Sequence, residues 1–315
     1  MKKKDKDNKP DRFRIDLVIV IIVLFLGPII GILFSKTSFL DKYKPTVKIF
    51  NNKVFETKHK IVFSSTKSED LEVILEQLNL NLENVKKGGL LPNFELLELP
   101  KDLSKIEPSK RRKDIFIASV LPIIINANLE TLDDRQKLCQ ALKENKLEHI
   151  IKIAKKYGYT SEEIGKLKNK EILLKNIDAI PVSLAIAQAA VESGWGTSRF
   201  ALEGNALYGQ WAWNSKDGIK PKSVEDSNIV VRSFDNLASS VKSYIINLNT
   251  HNAYKGMRTK RKRSCDNENL ISGLELANWM GNYATTRDEY IKILRTVISS
   301  NKLSDFDSII VKNPL

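Results

Sequence analysis

Glu192 closes the run PVSLAIAQAAVESGWG, residues 181–196, where Ser183 and Gln188 are the polar residues ahead of it. Pro181 suits the first turn of a helix, and Gly194 with Gly196 suits its end. A carboxyl in the last turn of so apolar a helix faces the negative end of the helix dipole and sees little water. Both effects disfavour the charged form and raise the pKa. A carboxylic acid that keeps its proton near neutral pH meets the requirement of general acid catalysis. At an acetal carbon such an acid normally works with a second carboxylate. Glu203, Asp217, Glu225 and Asp226 are the candidates that follow it in the chain.

Flat apolar rings suit the faces of sugars, and four lie close after Glu192: Trp195, Tyr208, Trp211 and Trp213. Trp195 serves equally well as a packing support for Glu192. Gln210, between two of these rings, is a candidate polar contact to the same ligand. Other chemistries find little support. His59, His149 and His251 are isolated from one another, and no Cys-x-x-Cys, phosphate-binding loop or nucleophile elbow occurs, so neither a metal nor a cofactor is expected. Cys139 and Cys265 are far apart in sequence; two unpaired buried thiols are expected, although a disulfide is geometrically possible.

The elements that must position these residues read as mostly helical. Residues 115–125 are apolar on nearly every side and belong deep in a core. Residues 180–190 read the same way. Residues 67–86 form an amphipathic helix, 91–113 are extended and proline-punctuated, and helical patterning starts at Asp114. The polar stretch 131–149 is an exposed helix; further helices cover 150–157, 161–168, 234–249 and 270–298. Asp235 is placed to cap the helix after it. Strand signals occur at 46–50, 60–63 and, clearest, 228–233. Many helices with one small β insertion make an α+β fold.

The block ESGWGTSR at 192–199, followed by EGNALYGQW at 203–211, resembles the glucosaminidase family of bacterial autolysins and flagellar peptidoglycan hydrolases, and within it the Bax-type branch. SFDNLASSVKSY at 233–244 and NYATTRDEY at 282–290 resemble later family blocks. LELPKD at 97–102 and FIASVLPIIINAN at 116–128 resemble the N-terminal extension of that branch. The resemblance covers roughly residues 90–300 and is most specific around Glu192. It implies a lysozyme-like fold and cleavage of the β-1,4 bond after N-acetylglucosamine in peptidoglycan strands, with Glu192 as the acid. Tyr283 corresponds to a tyrosine the family keeps in its active site, where it would bind the N-acetyl group or orient water. The resemblance implies a second carboxylate in the β insertion, variable in position; Glu225, which with Asp226 immediately precedes the stretch at 228–233, is preferred, Glu203 and Asp217 are rivals, and the substrate's own N-acetyl group is an alternative nucleophile. A lytic transglycosylase would share this fold but usually carries a Gly-Leu-Met-Gln block where this chain reads ALYGQ at 206–210; a non-catalytic wall-binding scaffold is a further alternative.

The chain has 315 residues, enough for a full core, and a net charge of +13 that suits a membrane surface or an acidic polymer. Residues 17–34 carry no charge and would span most of a roughly 30 Å hydrocarbon core. Lys and Arg crowd residues 1–14, which therefore stay cytoplasmic. SKTSFLDKYK follows at 35–44, a poor cleavage site, so a retained anchor is expected rather than a signal peptide. The expected organisation is a basic tail at 1–14, a transmembrane helix at 15–35, a juxtamembrane region at 36–89, a helical Bax-type extension at 90–170 and a catalytic domain at 171–305. The catalytic domain would lie outside a bacterial inner membrane, with the bilayer and glycan strands as partners. Nucleic-acid binding by the basic run RTKRKR at 258–263 conflicts with that placement; the run is a candidate contact to anionic wall polymer or lipid headgroups.

Overall fold

The alternating stretches ahead of the helices do form strands. A computed structural model describes residues 46–50, 53–55, 61–64, 67–222, 229–265, 267 and 271–309, with only the backbone for the first two segments. The expected tail and transmembrane helix, and Glu225 with Asp226, lie outside the described residues. Strand β1 (Thr46–Phe50) runs antiparallel between β2 (Lys53–Phe55) and β4 (Leu91–Pro92). Strand β3 (Ile61–Phe63) lies parallel to β5 (Phe94–Leu96), with Ile61 opposite Phe94.

Residues 67–86 form two helices rather than one: α1 (Ser68–Gln77) and α2 (Leu82–Lys86). Asn79 between them takes a left-handed backbone, and the Asn81 side chain accepts from Asn84 N at 3.0 Å to start α2. The next helix, α3 (Ser109–Lys143), begins ahead of the expected Asp114, directly after Pro108. Its apolar half is buried as expected: Phe116, Val120, Leu121 and Ile124 are fully enclosed. By length and composition α3 is the one helix among the described residues able to cross a membrane, yet 78% of its most apolar window is buried inside the protein, which marks a core helix.

Its polar half is not the exposed helix expected at 131–149. Thr131, Asp134, Arg135, Leu138 and Ala141 are buried along one face, and Asn145 ends the run in a left-handed turn before α4 (Leu147–Lys155). After α5 (Ser161–Lys166) and α6 (Leu173–Asn176) comes α7 (Val182–Ser193), enclosed by α3, α12 and the final 3-10 segment Leu303–Ile309. Leu184 and Ile186 are fully buried, which stabilises the fold by roughly 1.5–3 kcal/mol each. A short helix α8 (Arg199–Gly204) leads into an antiparallel sheet of β6 (Trp211–Ala212), β7 (Gly218–Ile219) and β8 (Val230–Arg232), with β8 in the middle. This is the expected β insertion. Helices α9 (Leu237–Thr250), α10 (Lys255–Arg261), α11 (Gly273–Leu276) and α12 (Asp288–Ser300) complete the fold. The helix expected at 270–298 is broken, with 3-10 turns at Ala277–Trp279 and Gly281–Tyr283 before α12. Two apolar clusters form among the described residues, a large one drawing on residues from Leu71 to Ile309 and a smaller one around Leu138, Ile150, Ile164 and Leu173. The architecture is mostly helical with small sheets.

The basic run at 258–263 is solvated only in part: Lys260 and Lys262 are exposed, but its arginines are not. Arg258 and Arg261 are each 3% exposed. Arg258 Nη1 donates to the carbonyls of Leu248 (3.0 Å) and His251 (2.7 Å). Arg261 donates to the carbonyls of Lys175 (3.0 Å), Asp178 and Ala179 (both 3.2 Å) and to Asn249 Oδ1 (2.7 Å). Arg263 grips the buried Asp178 carboxylate with two bonds, 2.7 and 2.9 Å, and Arg135 stands 3.5 Å from the same group. The segment between α6 and α7 is buried without helical partners for its carbonyls, and the guanidinium forks supply the missing donors. Arg261, Arg263 and Arg135 therefore hold the entry to α7, and Arg258 holds the end of the helix that closes at Thr250; these guanidinium groups are not free for an anionic polymer.

Cys139 and Cys265 are not free thiols but a disulfide, their Cα atoms 5.8 Å apart. Arg135 and Cys139, four apart on α3, share one face, and Arg135 Nη2 donates to the carbonyls of Arg263 (2.8 Å) and Ser264 (3.3 Å). The segment from 263 to 265 is thus laid across α3, which brings the two cysteines together.

Candidate active site

The helix that carries Glu192 is fixed at both ends. Pro181 at its N-cap has no side-chain acceptor, so the cap comes from far away in sequence. Asp307 accepts from Ser183 N and Ser183 Oγ, both at 2.8 Å, and from Gly273 N at 2.9 Å. Just upstream, Asn128 on α3 exchanges two bonds with the backbone of Ile180, 2.8 and 2.9 Å. At the other end Gly194 adopts the left-handed cap (φ 60°) that glycine takes at least cost. Glu192 therefore stands in the last turn, as the sequence pattern predicts.

Its carboxyl is half-buried, and burial raises its pKa; a hydrogen bond from Tyr290 opposes that rise in part. Tyr290 Oη lies 2.7 Å from Glu192 Oε1. Behind it the contacts continue: Gln188 Nε2 donates to Tyr290 Oη (3.1 Å), and Tyr244 Oη donates to Gln188 Oε1 (2.8 Å). Gln188 and Glu192 are four apart, so they share a face of α7. That spacing was legible in the sequence and points to Gln188. Nothing local links it to Tyr244 and Tyr290, which lie 56 and 102 residues away.

Tyr283, the tyrosine singled out in the sequence, stacks parallel to Tyr290, ring centroids 5.7 Å apart, and is half-buried. Its hydroxyl donates to the Tyr208 carbonyl at 2.8 Å, so its oxygen is left as an acceptor. That bond holds the 208–209 segment over Glu192. Gly209 (φ 59°) comes so close that a Cβ there would stand 3.2 Å from Glu192 Oε2.

The expected sugar-facing rings divide into two groups. Trp211 is 54% and Trp213 76% exposed, on and just beyond β6. Tyr208 is 1% exposed and stacks on Tyr244 at 3.8 Å, so it presents no face to a ligand; its hydroxyl is buried without a partner. Its neighbours Ala206 and Leu207 are buried with it. Trp195 is half-buried edge-on to Phe116 (5.8 Å), with Lys113 over its ring at 4.9 Å, and so it acts as a packing support. Gln210 is half-buried, its Oε1 turned inward with no donor.

Of the rival carboxylates, Glu203 is exposed and lies 3.6 Å from Arg199, and Asp217 is exposed in a 3-10 turn ahead of β7. Among the described residues Glu192's ionisation is set by burial and Tyr290, without a second carboxylate. Asp235 does not cap α9; its neighbour Asn236 does, accepting from Ser239 N at 2.8 Å. Among the described residues no group of three His, Cys, Asp or Glu side chains could hold a metal.

Residues 169–303 match the family model Glucosaminidase, described as mannosyl-glycoprotein endo-beta-N-acetylglucosaminidase. The chain is 26% identical over 262 residues to Protein bax of Escherichia coli (strain K12), covering 81% of this chain and 90% of that protein. No solved structure matches it. The matched region contains α7, the β insertion, Tyr283 and α12.

Proposed function

We propose that this chain, which carries a glucosaminidase-family domain over residues 169–303, hydrolyses the β-1,4 bond after N-acetylglucosamine in peptidoglycan strands, with Glu192 as general acid. The observation that carries this reading is Glu192 itself: a half-buried carboxyl with a raised pKa at the end of an apolar helix, inside the matched region. The protonated carboxyl gives its proton to the bridging oxygen as the bond from that oxygen to the sugar's C1 breaks, and water adds to the electron-poor carbon. Tyr283, with its oxygen free to accept, suits the N–H of an acetamido group or the reacting water. Trp211 and Trp213 supply exposed flat faces for sugar rings, and Gln210 an amide beside them. The second carboxylate in this reading is Glu225, in the sequence between β7 and β8, acting as the base. The substrate's own acetamido oxygen is the alternative.

Residues 15–35 anchor the chain in a bacterial inner membrane in this reading, with the domain outside. The Cys139–Cys265 disulfide supports that side of the membrane, since such bonds persist in oxidising compartments. The test is digestion of purified peptidoglycan by the full chain, with the sugar ends read by mass spectrometry. Reducing N-acetylglucosamine ends are expected. Anhydro-muramic ends would replace hydrolysis by transglycosylation, and binding without release would leave a scaffold.

A further inference from the structure

A carboxylic acid has two oxygens, and its proton is useful only on the one that reaches the leaving group. The contacts behind Glu192 decide which. Tyr244 is fully buried, and its hydroxyl hydrogen has Gln188 Oε1 as acceptor. That fixes the amide, so Gln188 Nε2 faces Tyr290 and donates to its oxygen. The Tyr290 hydrogen is then directed at Glu192 Oε1. Running the chain in reverse would make Glu192 the donor and strand the Tyr244 hydrogen in the core without an acceptor, an arrangement native proteins avoid. Oε1 is thus an acceptor whether or not Glu192 is ionised. The other oxygen, Oε2, lies against the Gly209 backbone, where a Cβ would stand 3.2 Å away, and accepts no hydrogen bond from a described residue.

Resting on the hydrolase reading, we propose that Tyr290, oriented by Gln188 and Tyr244, is a positioning residue that keeps the acid proton of Glu192 on Oε2, the oxygen delivered to the substrate. Tyr290 does not itself touch the reacting atoms; it acts through Glu192. The titratable groups that face Glu192 among the described residues are Tyr254, Tyr283 and Tyr290. Burial raises the pKa of all three, so they stay neutral in the working range, and the Tyr290 hydrogen bond is the adjustable influence on Glu192.

The experiment uses the full chain carrying Tyr290→Phe. The carboxylic C=O stretch of Glu192, assigned by infrared difference against Glu192→Gln, is followed over pH. Removing the donor that favours the ionised form should raise the titration midpoint by about one pH unit. On peptidoglycan, kcat should fall by about tenfold with little change in KM, and the alkaline limb of the rate should move up with the midpoint. A folded Tyr290→Phe with unchanged midpoint and kcat overturns the proposal; so does lower kcat with an unchanged midpoint and reduced thermal stability, the mark of a structural role. If Tyr290→Phe does not fold, Tyr244→Phe tests the chain from its far end: a several-fold lower kcat supports the proposal, and wild-type kcat overturns it. A wild-type chain that releases no sugar ends defeats the hydrolase reading, while the infrared midpoint still decides whether Tyr290 governs Glu192.

Discussion

At the scale of single residues, the proposed chemistry rests on one protonated carboxyl. Burial holds the pKa of Glu192 above its ordinary value. A general acid works only while protonated, so activity should be sustained at lower pH and decline as pH rises through that raised pKa; a pH–rate profile of kcat/KM reads it. Glu192→Gln keeps the shape and removes the proton. It should lower kcat by about 10²–10⁴-fold without altering the melting temperature, and an unchanged rate would sink the assignment. Trp211→Ala and Trp213→Ala should leave kcat nearly constant and raise KM by about five- to tenfold, about 1 kcal/mol for a lost ring contact. Substrate titration of each variant separates the two quantities.

At the scale of elements, α7 is the part whose placement matters most. Its N-terminus has no cap of its own, and Asp307 supplies one from the far end of the chain. Asp307→Ala should strip the acceptor from Ser183 N, Ser183 Oγ and Gly273 N. The expected loss is about 2 kcal/mol, combining a lost cap with buried donors left unpaired, and urea unfolding would measure it. The same feature explains why α7 was found from sequence while its support was not. An apolar run ending in ESGWG announces a buried helix and its stop. A cap from a residue 124 positions away leaves no trace in the local pattern.

At the scale of the whole molecule, two long-range locks hold the entry to α7. Burial alone would raise the pKa of Asp178, but Arg263, Arg261 and Arg135 together hold it below its ordinary 3.8. The stability it contributes is therefore complete above that value and is lost as pH falls through the lower folded pKa. Asp178→Asn should remove this acid-side decline. It should also cost about 3–5 kcal/mol at neutral pH, because buried guanidinium charges lose their counter-ion; acid titration of unfolding tests both. Burial pulls Arg261 down to about 10, so the cluster keeps its charge at neutral pH. The second lock is the Cys139–Cys265 bond. Its reduction should destabilise the protein by about 2–5 kcal/mol, seen as a lower melting temperature in reductant.

Much of this protein was legible in the sequence. The all-round apolar runs at 115–125 and 180–190, the glycine stop after Glu192 and the alternation at 228–233 are local signals that fix a backbone conformation and its burial. The motif blocks named the glucosaminidase region that the family model matches at 169–303. Tertiary structure alone decided the rest. It buried Tyr208, turned the arginines of a basic run into an internal clamp, joined two distant cysteines and ran Tyr244 and Tyr290 through Gln188 to Glu192. Pattern reports what each stretch does with water within a turn or two; it carries no record of which distant side chain will complete a buried hydrogen bond. The helix end that carries Glu192 was written locally, and the hydrogen bonds that reach its carboxyl come from residues on three separate helices.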